Sequence, residues 1–346
     1  MMLRNHVAHS IACLCLGLVV LVAPEAGRGQ DKVGTTAANF LGISVGARSA
    51  AMGGAYAAMA GDATSLYWNP GAVSRSGRSH AMFVRANWFL DTSFNWAGAV
   101  VKFGDANTLG LSFTSLNYGE EPVTTVFQPE GTGERFSAQD IAAGVSYARN
   151  LTDRFSIGGT LKYISQEIFN ESATAVALDV GLLFITEFRD IRLGVSFSNL
   201  GSEMRLEGKD LIQRVDLDPT VTGDNETIVG LLKTDSFQLP VIFRVGVSGE
   251  LIKYKENSRL TVSIEAMQPN DNSGVVNVGG EFAIHEMIFV RGGYKSLFRE
   301  DSEEGLTFGG GVIWNFQDRA SLAVDYAYAD FGLLDNVQMF SIGLSF

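Results

Sequence analysis

The chain has 346 residues, of which 46% are hydrophobic and 39 are glycine, and its formal charge is −12. That acidity argues against nucleic acid as a partner, because phosphate contacts need clustered Lys and Arg. Beyond the first 29 residues no apolar run approaches the roughly 18 residues of a helical membrane span, so hydrophobic residues this abundant must be spread by a shorter period.

Residues 1–29 have the layout of a secretory signal. Arg4 supplies a positive start, "IACLCLGLVVLVA" (11–23) is an apolar core too short to cross a bilayer, and Ala26, Gly27 and Gly29 offer small residues for cleavage near Gly29. Cleavage there removes Cys13 and Cys15, the only cysteines, so no disulfide is expected to brace the mature chain.

Residues 30–78 show no alternation. "GARSAAMGGAYAAMAGDATSLYWNPGAVS" (46–74) is rich in small residues, and Gly46, Gly53, Gly54 and Gly61 break any long helix and permit positive φ. Asp62 is suited to cap a short helix starting near Ala63, and Pro70 drives Asn69 out of helical conformation. The expectation is a plug of short helical pieces and tight turns, compact enough to sit inside a barrel.

From residue 79 the period is two. In "NVQMFSIGLSF" (336–346), Phe340, Ile342, Leu344 and Phe346 share one face, and Met339, Ser341, Gly343 and Ser345 the other. Fourteen such tracts follow one another: 79–90, 93–103, 107–117, 137–149, 153–167, 172–187, 190–200, 239–251, 257–268, 274–285, 287–296, 305–316, 318–330 and 336–346. Strands of soluble sandwiches average about 5–6 residues, and these run to ten or more. The even count and the length predict an all-β fold, a 14-stranded antiparallel transmembrane β-barrel over 79–346. Connections after even-numbered strands are short ("GDA", "NLTD", "HEM"). The long ones, 117–136, 201–238 and 296–305, all follow odd-numbered strands, as periplasmic turns and extracellular loops do. Trp88, Trp96, Tyr163 and Tyr328 are placed near the outer interface, Trp314 and Phe346 near the inner one. The terminal Phe346 reads as a barrel-assembly signal.

By the same alternation Lys162, Arg192, Arg244, Glu265, Glu281, Arg291 and Asp325 point into the lumen, where ion pairing among themselves and with Arg48 and Asp62 is the expected role. Gly158-Gly159, Gly279-Gly280 and Gly309-Gly310-Gly311 lie within strands, where they mark bends or close approach of the plug. Enzyme chemistry finds no support: His80 and His285, the histidines left after signal cleavage, fall at the periplasmic ends, away from any nucleophile near the outer leaflet, and no metal or cofactor set is present. "DLDPTVTGDNET" (216–227) carries Asp216, Asp218, Asp224 and Glu226 with no EF-hand spacing, and reads as a solvated acidic loop that covers the mouth or meets a protein partner.

The stretch "NFLGISVGARSAAMGGAYAAMAGDATSLYWNPGAVS" (39–74) resembles the N-terminal signature of the PorV/PorQ group within the FadL-like superfamily, through Gly46, Arg48, Gly53, Gly54, Asp62, Trp68, Asn69 and Pro70; Gly71 stands where relatives often have Ala. The resemblance implies an outer-membrane barrel with an N-terminal hatch, surrounded by outer-membrane lipid. It implies one of two non-enzymatic functions: a component of type IX secretion that receives or shuttles exported proteins beside other secretion-system subunits, or a passive channel that passes hydrophobic small molecules such as fatty acids. A barrel with a purely structural role is a third, less specific expectation.

Overall fold

The computed structural model describes residues 33–215, 228–254, 258–299, 302–316 and 320–346. Each alternating tract becomes a strand: β1 (His80–Asn87), β2 (Ser93–Phe103), β3 (Asn107–Pro122), β4 (Arg135–Asn150), β5 (Phe155–Ile168), β6 (Glu171–Ile185), β7 (Arg192–Gly201), β8 (Ile242–Tyr254), β9 (Ser258–Pro269), β10 (Val275–Ile284), β11 (Ile288–Leu297), β12 (Leu306–Phe316), β13 (Ala320–Asp330) and β14 (Asn336–Ser345). Successive strands pair antiparallel, and β14 returns to β1 with Ser345 opposite His80 and Gln338 opposite Asn87. Closure leaves no edge with unpaired amides, which is what permits a sheet to stand in hydrocarbon.

The pleat sorts the side chains. On β3, Leu109, Leu111 and Phe113 face outward and remain exposed, whereas Thr108 and Gly110 are buried inward. Trp96 departs from the expected aromatic belt: it shares the inward face of β2 with Phe94 and Val100 and is buried. The reason is local, because an apolar part of the N-terminal segment lies against that wall and the lumen there must be apolar too. Phe346 is exposed just beyond β14, its amide donating to the Ser79 carbonyl at 3.0 Å.

Two outer connections differ from expectation. β3 and β4 run on to Pro122 and from Arg135, so part of the long loop is a strand hairpin projecting beyond the wall. Within 201–238, Met204–Arg205 pairs with Ser236–Phe237 and Ile212–Arg214 with Val229–Leu231. The acidic residues Asp216, Asp218, Asp224 and Glu226 lie outside the described residues, as does the signal segment.

Residues 36–76 occupy the lumen. They form a 3-10 turn (Asn39–Gly42), α1 (Ala47–Ala51), α2 (Ser65–Trp68) and a second 3-10 turn (Pro70–Arg75). α2 starts two residues later than Ala63, with Asp62 Oδ1 accepting the Thr64 amide at 2.9 Å ahead of its first turn. Ala47, Ala51, Ala55, Ala57, Ala58, Ala63 and Ala72 are wholly buried. Larger side chains would not fit between the pieces and the wall, because a closed interior has no slack to absorb extra volume. Phe40, Leu41, Ile43, Leu66 and Val73 merge with Phe94, Trp96, Val100, Leu116 and Ile164 of the wall into one apolar core.

Candidate functional site

The contact between the inner segment and the lumen wall concentrates the unusual residues of the chain. It begins with backbone shape. Gly46, Gly53 and Gly54 adopt φ of 99°, 65° and 75°, which L side chains disfavour, and they turn the chain sharply around α1. Asn69 is extended (φ −161°, ψ 99°), as the following Pro70 requires, and fully buried. Its Oδ1 accepts the Gly71 amide at 3.0 Å, while Nδ2 donates to the Ala57 carbonyl at 2.7 Å and to Leu182 of β6 at 2.9 Å. One amide side chain thus ties two parts of the inner segment to each other and to the wall. Trp68 Nε1 donates to Val45 at 2.8 Å, and Ser196 of β7 donates to the Trp68 carbonyl at 2.9 Å.

The wall meets this backbone with glycines. Gly158 lies opposite Gly181, Gly194 opposite Gly246 and Gly279 opposite Gly293 in the ladder. A Cβ on Gly158 would stand 2.4 Å from the Pro70 oxygen, on Gly194 2.1 Å from that of Ala57, and on Gly279 2.2 Å from that of Met52. The inner segment therefore rests backbone against backbone along a track of lumen-facing glycines. Of the expected strand doublets, the inward members Gly158 and Gly279 serve this contact.

Charge supplies the second set of attachments. Arg48 donates to Glu281 of β10 through Nε at 2.7 Å and Nη2 at 2.9 Å, and reaches Asp62 at 3.3 Å. Asp62 also accepts the Tyr56 and Thr64 hydroxyls. Glu281, with no solvent exposure, further holds Arg291 at 2.7 Å and Arg259 at 3.0 Å, and Arg291 continues to Asp325 at 2.6 Å. One carboxylate thereby faces three guanidinium groups, and Asp62, Asp325 and Glu286 balance them. Glu265 acts on the backbone instead, its Oε2 accepting the consecutive amides of Tyr56 at 2.9 Å and Ala57 at 2.6 Å. Arg244 lies 3.8 Å from Glu265, donates to Ser198, and stacks 5.3 Å from the ring centres of both Tyr67 and Trp68. Lys162 pairs with Asp179 at 2.9 Å and donates to Asn199. Arg192 also faces inward but is partly exposed and pairs with Glu250 at 3.6 Å, apart from the inner segment.

Arg48, Asp62, Trp68, Asn69, Pro70, Glu265, Glu281, Arg291, Asp325 and Arg244 are thus brought into one assembly, whereas Lys162, Arg192 and Phe346 stand outside it. Asp179 and Arg259 were missed, although both sit at lumen parity in their strands and the alternation rule would have found them. Tyr56 carries no signal in the sequence; only the fold shows its hydroxyl against Asp62. Asn69→Ala is expected to destabilise the folded barrel by about 1–3 kcal/mol, the cost of orphaning buried backbone partners. Urea titration of tryptophan fluorescence reads that loss, and an unchanged midpoint would mean water replaces the amide.

The family model described as "Type IX secretion system protein PorV" matches residues 26–185. Solved structures agree in fold. A Pseudomonas aeruginosa FadL homologue aligns at 12% identity and TM-score 0.51, covering 88% of this chain and 98% of its own. The monoaromatic hydrocarbon channel CymD aligns at 12% and 0.55, covering 88% and 97%. The Pseudomonas putida toluene transporter TodX aligns at 12% and 0.50, covering 87% and 97%. At these identities the likeness concerns the fold alone. No curated protein sequence matches the chain.

Proposed function

We propose that this chain is an outer-membrane barrel of the PorV type and a non-enzymatic component of type IX secretion that receives exported proteins at its outer mouth, with residues 30–78 as a plug; the family-model match and the FadL-like fold support this reading. The observation that carries the reading is how closely residues 36–76 are held against the lumen wall. A plug seated backbone to backbone on wall glycines, and bound by buried ion pairs, supports traffic at the rim over traffic through the pore.

The competing reading, passive passage of hydrophobic molecules, has some support in the apolar walls around Phe40, Ile43, Leu66 and Trp96. The cavity they line with Lys162 and Asp179 measures about 20 Å³, however, room for a water and not for a fatty acid.

The long outer loop is the first element to test. Its base is pinned, since Met204 and Leu239 are buried against the inner segment and the Ala37 amide donates to Gln238 at 2.9 Å. Deleting 205–235 is therefore expected to leave a barrel that still shows heat-modifiable migration on gels, yet to abolish co-purification of exported proteins from native outer membrane. Retained capture would refute this loop's role.

A further inference from the structure

Two outer connections flank the seam where the barrel closes, β1–β2 and β13–β14, and both hold their backbone in disfavoured shapes. Leu90 and Asp91 have φ of 53° and 59°, and Asp335 has φ of 71°. The left-handed region crowds any side chain with a Cβ, so such conformations persist only where surroundings impose them. Here the surroundings are aromatic. Trp88, Phe89 and Phe331 form a trio with ring centres 4.9, 5.1 and 5.7 Å apart, packed against the core from above. The Trp88 amide donates to Thr92 at 3.0 Å, and the Phe331 amide to Asp335 at 2.9 Å, which locks each turn.

What this scaffold presents is leucine. Leu90 is 94% exposed and Leu333 91%, with Leu334 half-exposed beside it. A connection that shields its aromatics and strains its backbone to leave an aliphatic side chain exposed has the form of a binding knob on a rigid base. The flanking charge has one sign. Asp91, Glu303, Asp330 and Asp335 form no ion pair among the described residues; Glu303 instead accepts the Leu333 amide at 2.9 Å and Asp330 that of Gly332 at 3.1 Å. The nearby Lys295 is already engaged with Glu304 and with the Phe331 ring.

We propose that the Leu90–Leu333 knob is the docking point for an exported protein that offers an apolar pocket rimmed by Lys or Arg. The proposal rests on the secretion reading above and adds to it the place and the partner chemistry. Apolar contact at the centre supplies the affinity, and the carboxylates steer a basic partner onto it, which makes association salt-sensitive.

The test uses the full-length barrel in its native outer membrane. Leu90→Ala with Leu333→Ala should lower co-purification of exported proteins about tenfold or more, as loss of a central anchor does, while heat-modifiable migration stays normal because both side chains are exposed and pack against nothing in the barrel. A photo-activated amino acid at position 333 in an otherwise native chain should form adducts with an exported protein, within a patch rich in Lys or Arg, and high salt should suppress them. Adducts with a second copy of this chain or with lipopolysaccharide, or no adduct, would overturn the proposal. Capture lost on deleting 205–235 but unchanged in the leucine variant would overturn this docking point and leave the secretion reading standing. If the native barrel captures no exported protein, the secretion reading itself fails, and this proposal with it.

Discussion

Glu281→Ala is expected to lower the unfolding free energy of the barrel by about 3–5 kcal/mol, because removing one partner of a buried ionic group leaves its counter-charges unpaired. Three guanidinium groups converge on this carboxylate, Arg48 from the inner segment and Arg259 and Arg291 from the wall, and the carboxylate has no contact with solvent. Asp62, Glu286 and Asp325 remain to offset them, but each is already committed at the far side of its arginine. Without Glu281, Arg48 also loses its link to the wall. The inner segment should then loosen from the wall and become more susceptible to protease. Urea titration and limited proteolysis measure the two effects. Glu250→Ala is the matched control: its partner Arg192 is partly exposed, and such pairs contribute at most about 1 kcal/mol. Equal losses in the two variants would show that burial adds nothing to the Glu281 network.

Gly279→Ala should act on the inner segment and spare the wall. The new methyl would stand 2.2 Å from the Met52 carbonyl oxygen and 2.7 Å from its carbon, and backbone cannot move aside as a side-chain tip can. Overpacking of this kind costs about 1–3 kcal/mol. Combined with Gly158→Ala, which meets the Pro70 oxygen at 2.4 Å, it attacks the inner segment at two remote points. The ladder hydrogen bonds of β5 and β10 are untouched, so the double variant should still close as a barrel and migrate as one. Planar-bilayer recordings should show ion leak where the native protein is quiet. The neighbouring Gly280→Ala is the control, since its added methyl finds only the Thr261 oxygen at 3.8 Å on the outward face. Leak from Gly280→Ala, or none from the double variant, would mean that the glycine track does not seat the inner segment or that this segment does not seal the lumen.

How much of this was legible beforehand depends on the period of the interaction. Strand number, the sorting of short turns from long loops, and the inward direction of Arg244, Glu265, Glu281, Arg291 and Asp325 all follow from alternation of two, because in a closed sheet the pleat alone assigns each side chain to lipid or lumen. The strand glycines could be read as sites of close approach for the same reason. Trp96 was misplaced because its strand also carries the apolar Phe94 and Val100 on the inward face, so the polar–apolar contrast that tells lumen from lipid elsewhere is absent there. The extension of β3 and β4 to Pro122 and Arg135 was missed because polar hairpin residues above the membrane lose the apolar alternation that marks a strand.

The sequence by itself determined the class of the molecule: a closed antiparallel barrel with an Ala- and Gly-rich segment ahead of it, whose Asn69-Pro70 turn had to leave the helix. Only the tertiary structure decided which partners meet. That Arg48 finds Glu281, 233 residues away, that Glu265 takes the Tyr56 and Ala57 amides, and that Pro70 lies over Gly158 are consequences of how the inner segment threads the lumen. Local pattern reports which face a residue occupies. Which residue stands opposite it across a lumen depends on the path of the whole chain, and no short-range periodicity encodes that path.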